Sequence, residues 1–260
     1  MRFEFLGTGT SYGVPQIGCF CEVCSSADFR DRRTRCSIWL KHKSLSLIVD
    51  TGPDFRYQCL RSGIHHIDGV LYTHFHADHV FGLDDIRQFN TLQKSTIPIY
   101  IPGFMLEWFK QVFGYTIKKS EPGMNRPQLV LNSVENKLIE IDTLKIQPVD
   151  VWHGKEKIKG YVFRNNKLKV AYLVDCKSLP VETVSEVKGS DVIILSALWN
   201  RSNSHPAHLN LDEAIKLAND LQGGLIYITH VTHKMGLYVA TQKLLPNNVF
   251  LAYDGLILDL

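Results

Sequence analysis

Hydrophobic positions along the chain fall into short runs bounded by polar, Gly and Pro residues. Apolar and β-branched residues over 2–6, 37–40 and 45–49 have the length of strands, and the last two predict a hairpin turning at His42 and Lys43. A helical spacing follows over 53–62, with Pro53 at its first turn. A short buried strand over 69–72 feeds the segment Thr73-His74-Phe75-His76-Ala77-Asp78-His79, after which a helix-like stretch begins. Residues 97–101 read as a strand, 104–113 as an amphipathic helix rich in aromatics, and the polar stretch 118–126 as a loop. Strands recur over 128–131, 137–140, 144–149, 159–164 and 167–174. Helix 181–187, strand 191–196, helix 211–221 and strand 225–229 then alternate, with Asn210 or Asp212 as the cap of the second helix and Gly223 as its stop. Strands over 249–252 and 255–259 close the chain. Each half runs strands before its helices. That order predicts an α/β (α+β) protein in which two β-sheets pack together with helices outside, a four-layer αββα sandwich, forming a single domain over 1–260.

Composition narrows the partners more than the fold. A chain of 260 residues buries about three quarters of its unfolded surface and needs no staples. The net charge is only +3, which by itself neither points to nor excludes nucleic acid, since such binding depends on a clustered basic face. The basic segment 30–35 is expected to be a solvated loop or helix end. The N-terminal residues lack the apolar core of a signal peptide, and no run approaches the length of a membrane span. A cytoplasmic protein with no membrane contact is expected. Of the six cysteines, Cys36, Cys59 and Cys176 are scattered and expected to be small buried apolar groups. Cys19, Cys21 and Cys24 cluster, which in a reducing compartment points to metal, with a redox pair as the rival.

The histidine segment carries the chemistry. Three imidazoles and a carboxylate lie within six positions, His74 to His79. A loop at a strand end can turn all four inward. Imidazole with carboxylate suits zinc, manganese or iron. A single catalytic metal takes three protein ligands and keeps an open position, so four candidates in one loop point to two adjacent ions. A polar, solvated loop is the bland alternative.

The segment His74-Phe75-His76-Ala77-Asp78-His79 resembles the His-x-His-x-Asp-His signature of the metallo-β-lactamase superfamily, and the likeness extends over nearly the whole chain. Leu47-Ile48-Val49-Asp50-Thr51-Gly52 looks like the family's upstream strand and Asp-Gly segment. His153, Asp175 and His230 fall where its later ligands belong, each after an apolar strand. The resemblance implies the four-layer fold and one metal held by His74, His76 and His153. It implies a second held by Asp78, His79 and His230, with Asp175 shared. Taken singly, His153 or His230 would be ordinary hydrogen-bonded histidines. Asp50 is expected either to orient the histidine loop or to cap a helix. His42, His65 and His66 match no ligand position.

A narrower likeness comes from Gly18-Cys19-Phe20-Cys21-Glu22-Val23-Cys24 after the opening FLGTGTSYGVPQ, which resembles the PhnP-type phosphodiesterases that cleave a cyclic phosphodiester on a ribose phosphate. That resemblance implies a structural zinc held by Cys19, Cys21, Cys24 and His233, a closed Cys₃His set. It implies two divalent active-site ions, zinc or manganese, a small phosphodiester as substrate, and attack by a water activated between the ions. Asp78 and His208 are the implied catalytic residues, with His208 as proton donor to the leaving group and His205 as its near rival. A homodimer is compatible with it. The same cysteine pattern occurs in PqqB-like accessory or carrier proteins. The opening also resembles tRNA-processing nucleases of the RNase Z kind, although no basic, Gly-rich arm for gripping tRNA is present.

Overall fold

The computed structural model describes residues 1–118 and 125–260, so most of the stretch 118–126 expected as a loop lies outside the described residues. By its internal contacts the chain divides into two compact units interleaved in sequence: residues 1–7, 35–135 and 255–260 form one, residues 8–34 and 136–254 the other.

The first unit is built on strands β1 (Arg2–Gly7), β2 (Ser37–His42), β3 (Leu45–Val49), β4 (Gly69–Leu71), β5 (Ile97–Pro102) and β6 (Leu129–Val134). Helices α1 (Phe55–Ser62), α2 (Ala77–Val80), α3 (Ile86–Gln93) and α4 (Leu106–Phe113) connect them. The β2–β3 hairpin turns at Lys43, which takes a left-handed backbone, so His42 is the last residue of its strand rather than part of the turn. Helix α1 starts two residues later than its Pro53 signal, at Phe55. β1 to β3 pair antiparallel, and β3 to β6 pair parallel through the helical crossovers. Phe55, Ile67, Val80, Ile86, Phe89, Ile99 and Phe109 pack the helices onto the sheet in one apolar core.

The second unit repeats the scheme with β7 (Ile139–Ile141), β8 (Leu144–His153), β9 (Glu156–Arg164), β10 (Lys169–Leu173), β11 (Val192–Ser196), β12 (Leu225–Thr229) and β13 (Val249–Leu251), and helices α5 (Val181–Val187), α6 (Leu211–Asp220) and α7 (Tyr238–Leu244). β7 to β10 pair antiparallel and β10 to β13 parallel. Asn210 caps α6 in a reciprocal capping box with Glu213, which decides between the two candidate caps. Helix α7 was not marked by the hydrophobic pattern. Its sequence, YVATQKL, has no apolar stripe at helical spacing and only Thr241 is buried on it. The last strand, β14 (Ile257–Asp259), returns to the first unit beside β1.

Within the basic segment Arg32 is exposed, as expected of a solvated loop, and Arg33 departs from that expectation. Arg33 is buried, donating to Thr8 Oγ1 and to the Ala252 carbonyl. Burial lowers its pKa to about 10. Asp254 in the same unit accepts from the backbone and hydroxyl of both Thr8 and Thr34, closing a polar network that holds the N-terminal loop. Arg30 and Arg35 are committed to Asp28 and Asp54. Cys36, Cys59 and Cys176 are buried. Among the described residues no helix is long and apolar enough to cross a membrane.

Candidate active site

In the first unit the parallel strands β3 and β4 end side by side, with Val49 opposite Leu71. The chain leaving β3 gives Asp50, and the chain leaving β4 gives Thr73 and His74. Asp50 takes a left-handed backbone (φ 62°) and caps no helix. Its carboxylate, fully buried, accepts from the Thr73 N–H at 2.9 Å, the Thr73 hydroxyl at 2.8 Å and His79 Nδ1 at 2.7 Å. Burial pushes the Asp50 carboxyl upward against the pull of His79. With its Nδ1–H donated to a carboxylate, neutral His79 keeps the Nε2 lone pair for a ligand.

The rest of the segment is not one loop. His74 and His76 leave β4 in extended chain, and Asp78 and His79 sit in the single turn of α2. The His74 ring centroid lies 4.5 Å from that of His76 and 4.2 Å from that of His79. His74 Nε2 is 2.9 Å from His76 Nδ1, and His79 Nε2 is 3.4 Å from Asp78 Oδ2. Three imidazoles and a carboxylate converge, and His74, Asp78 and His79 are buried. Two glycines permit this approach. A Cβ on Gly52 would lie 2.1 Å from the Asp78 carbonyl oxygen, and one on Gly82 would lie 2.0 Å from the Gly52 carbonyl oxygen. Backbone bonds from Thr51 to His79 and from Gly82 to Thr51, at 2.7 and 2.8 Å, clamp α2 there.

The second unit assembles its own set by the same device. β10, β11 and β12 run parallel, so the residues that follow them emerge at one edge. Asp175 and His230 lie just past β10 and β12, both with left-handed backbone (φ 51° and 54°). Non-glycine residues rarely adopt this conformation, and they gather where a side chain must be aimed. His230 Nε2 is 2.9 Å from Asp175 Oδ1. Ligand atoms of Asp175, His208 and His230 all lie within 4.8 Å of one another. His153, expected beyond its strand, is the last residue of the longer strand β8. Its Nδ1 donates to the Ala207 carbonyl at 3.1 Å, and its ring packs edge-on to His208 at 4.6 Å.

His208 stacks on His230, ring centroids 5.4 Å apart and planes 19° apart. Its Nδ1 is buried and has no hydrogen-bond partner among the described residues. Burial, reinforced by the neighbouring imidazoles and opposed by Asp175, lowers its pKa to about 3. The ring is therefore neutral over the ordinary pH range. His205 is less buried, is lowered by burial in the same direction, and accepts from the Ala207 N–H at 3.1 Å. Both open onto a cleft of about 540 Å³ within the second unit, bounded also by Thr10, Tyr12, Trp199 and Lys234. The hydrophobic pattern did not single out these last residues, which come from loops. Asp50 was the supporting residue that the motif reading reached; Thr73, next to His74 in sequence, joins it through its bonds to the Asp50 carboxylate.

The cysteine cluster lies in the second unit too. Sγ of Cys19, Cys21 and Cys24 are 3.3, 3.3 and 3.4 Å from His233 Nδ1. A tetrahedral zinc with Zn–S about 2.3 Å and Zn–N about 2.0 Å has S···N edges of about 3.5 Å, so the set fits that ion. Burial and the adjacent sulfurs push the Cys24 thiol up to about 11. Three thiolates in this cluster therefore call for a cation among them.

Residues 46–231 match the family described as Beta-lactamase superfamily domain. The octanoyltransferase of Porphyromonas gingivalis (strain ATCC BAA-308 / W83) is 32% identical over 258 residues, 98% of this chain and 51% of its own length. Ribonuclease Z of Bacillus thuringiensis (strain Al Hakam) is 27% identical over 178 residues, 67% of this chain and 53% of its own length. The chain thus spans about half the length of these curated relatives. A crystal structure of a new diphosphatase from the PhnP family is similar with a TM-score of 0.89 and 38% identity, covering 99% of this chain and 97% of that one. The chain therefore has the α/β sandwich fold of the metallo-β-lactamase superfamily, belongs to that superfamily, and is similar to the PhnP family within it.

Proposed function

We propose that the protein hydrolyses a small phosphodiester, a cyclic ribose phosphate, at a centre of two divalent ions, zinc or manganese. The observation that carries the reading is the convergence of His74, His76, Asp78 and His79, with His79 held by the buried Asp50 carboxylate. Their resemblance to the superfamily signature assigns His74, His76 and His153 to one ion and Asp78, His79 and His230 to the other, with Asp175 serving both. Such ions, when bound, lower the pKa of a water and offset charge on phosphoryl oxygens.

The chain's own residues supply the rest. Asp50 and the Ala207 carbonyl fix the tautomers of His79 and His153 so that each presents Nε2. His208, neutral and half-buried beside His230, lines the cleft. An anionic diester bound against that ring raises its pKa and lets it pass a proton to a departing alkoxide. Cys19, Cys21, Cys24 and His233 hold a separate zinc with no part in the chemistry.

Two resemblances pull elsewhere, to the RNase Z kind and to PqqB-like carriers. The near-balanced charge favours a small substrate over tRNA. The complete set of His, Asp and His donors favours turnover over carriage. A cytoplasmic location and a homodimer belong to the same reading. The test is a turnover screen of metal-loaded protein on a cyclic ribose phosphate, a cyclic nucleotide, linear diesters, a lactone and an octanoyl thioester. The thioester is included because the Porphyromonas gingivalis relative is an octanoyltransferase. Cleavage of the cyclic phosphate fastest, with about three metals per chain by elemental analysis, is the expected result. Hydrolysis of the thioester or lactone alone overturns the phosphodiester reading.

A further inference from the structure

The cleft beside His208 and His230 reaches a rim that bond cleavage does not require. Tyr12 stands there 71% exposed, with no hydrogen bond or ring contact among the described residues. Its loop is nevertheless fixed: Gly9 bridges to Val231, Val14 bridges to Arg33, and the Gln16 N–H donates to Cys24 Sγ at 3.4 Å. The ring is thus held out by anchored backbone. Trp199 lines the same cleft and is oriented by its Nε1–H bond to the Asn203 carbonyl at 3.1 Å and by the edge of His205 at 5.5 Å. The ammonium of Lys234, also in the lining, lies 5.6 Å from the Trp199 ring centroid. Thr10 Oγ1 is buried in the same lining and lacks a hydrogen-bond partner among the described residues.

Two aromatic faces, a cation and an unsatisfied hydroxyl beside the reacting imidazoles define a ligand. It is flat and polar-edged at one end and anionic at the other. A bare ribose phosphate fills only the anionic end. We infer, building on the phosphodiester reading above, that this rim is a base subsite and that the substrate is a ribose phosphodiester carrying a planar nucleobase held by Tyr12 and Trp199. Stacking on aromatic side chains tolerates any base, so the subsite selects for the presence of a base rather than its identity. Thr10 hydrogen-bonds an edge of the ligand, and Lys234 draws the anion in.

The test separates this subsite from the chemistry. Metal-loaded protein is titrated calorimetrically with adenosine 5′-monophosphate and with ribose 5-phosphate, which differ only in the base. The nucleotide should bind at least about tenfold more tightly, the usual scale of one base stacked on an aromatic ring. Tyr12→Ala should remove most of that ratio and Tyr12→Phe should keep it, since the ring face does the work. Equal affinity for the two ligands, or a preference that survives Tyr12→Ala, overturns the inference. Turnover of methyl p-nitrophenyl phosphate, measured in parallel, reports on the hydrolase reading alone. If that ester is not cleaved while base-dependent binding persists, the reaction is misassigned and the subsite stands.

Discussion

The Asp50 carboxylate lies 2.7 Å from His79 Nδ1, and both side chains are fully out of water. A buried acceptor this close fixes the histidine tautomer as well as its rotation. Asp50→Asn keeps the size but loses the charge, and the amide can present an N–H to the ring. The expected cost is about 10- to 100-fold in metal affinity or turnover, as for other groups that orient a ligand. Chelator competition measures it, and circular dichroism should show the fold intact. Unchanged affinity would mean that His79 binds no metal.

A second prediction follows from the backbone behind that pair. Gly52 admits the Asp78 carbonyl where a Cβ would lie 2.1 Å from it. Gly52→Ala must push α2 away from the chain leaving β3, and the displacement passes to Asp78 and His79. Overpacking of this kind costs about 1–3 kcal/mol. The urea midpoint should drop, and metal affinity should fall with it. A variant of lower stability but full affinity would show that α2 relaxes without moving its ligands.

The cysteine set gives a third. Cys21→Ser should lose the zinc of that set and lower the melting temperature, because structural zinc contributes folding energy directly. The freed segment around Gly18 to Ser26 should become sensitive to protease. Diester turnover should persist at moderate temperature. Immediate loss of turnover without unfolding would place this ion nearer the chemistry.

Much of the site was legible in sequence because its chemistry is local. His74 to His79 is one stretch, and the three cysteines are another. Asp175 and His230 sit just beyond apolar runs that could only be strands. What could not be read depended on pairings between segments far apart in the chain. The Asp50 bond to Thr73 exists because β3 and β4 run parallel and end together. Arg33 looked like a surface charge, yet Thr8 and Ala252 bring its acceptors from the two ends of the second unit's sequence. Helix α7 lacked an apolar stripe, and the turn of α2 is too short for periodicity to reveal. Tyr12, Trp199 and Lys234 share a cleft only once loops from separate parts of the chain are in place.

The last prediction concerns His208, where the geometry changes the argument for a general acid. Burial lowers its pKa from 6.5 to about 3, so in the protein free of active-site metal the ring stays neutral well below the pH at which a free histidine is protonated. The unfolded chain takes up that proton near pH 6.5, while the folded chain does so only near 3. Stability from this group is therefore complete above pH 6.5 and is lost as pH falls, by about 1.4 kcal/mol per unit until the folded pKa is reached. His208→Gln should flatten that acid limb in urea titrations of the stripped protein, and the ring-proton resonances of His208 should not titrate above about pH 4. The catalytic consequence depends on the leaving group. A p-nitrophenolate departs without a proton, whereas a ribose alkoxide needs one. His208→Ala should slow an alkyl or cyclic ribose diester by roughly 10²–10⁴ and bis(p-nitrophenyl) phosphate far less, with metal content unchanged. Equal slowing of both, together with loss of metal, would make His208 a ligand alongside Asp175 and His230. If neither substrate slows, the proton comes from elsewhere, and His205, 5.1 Å from His208 between ring centroids, takes the same test.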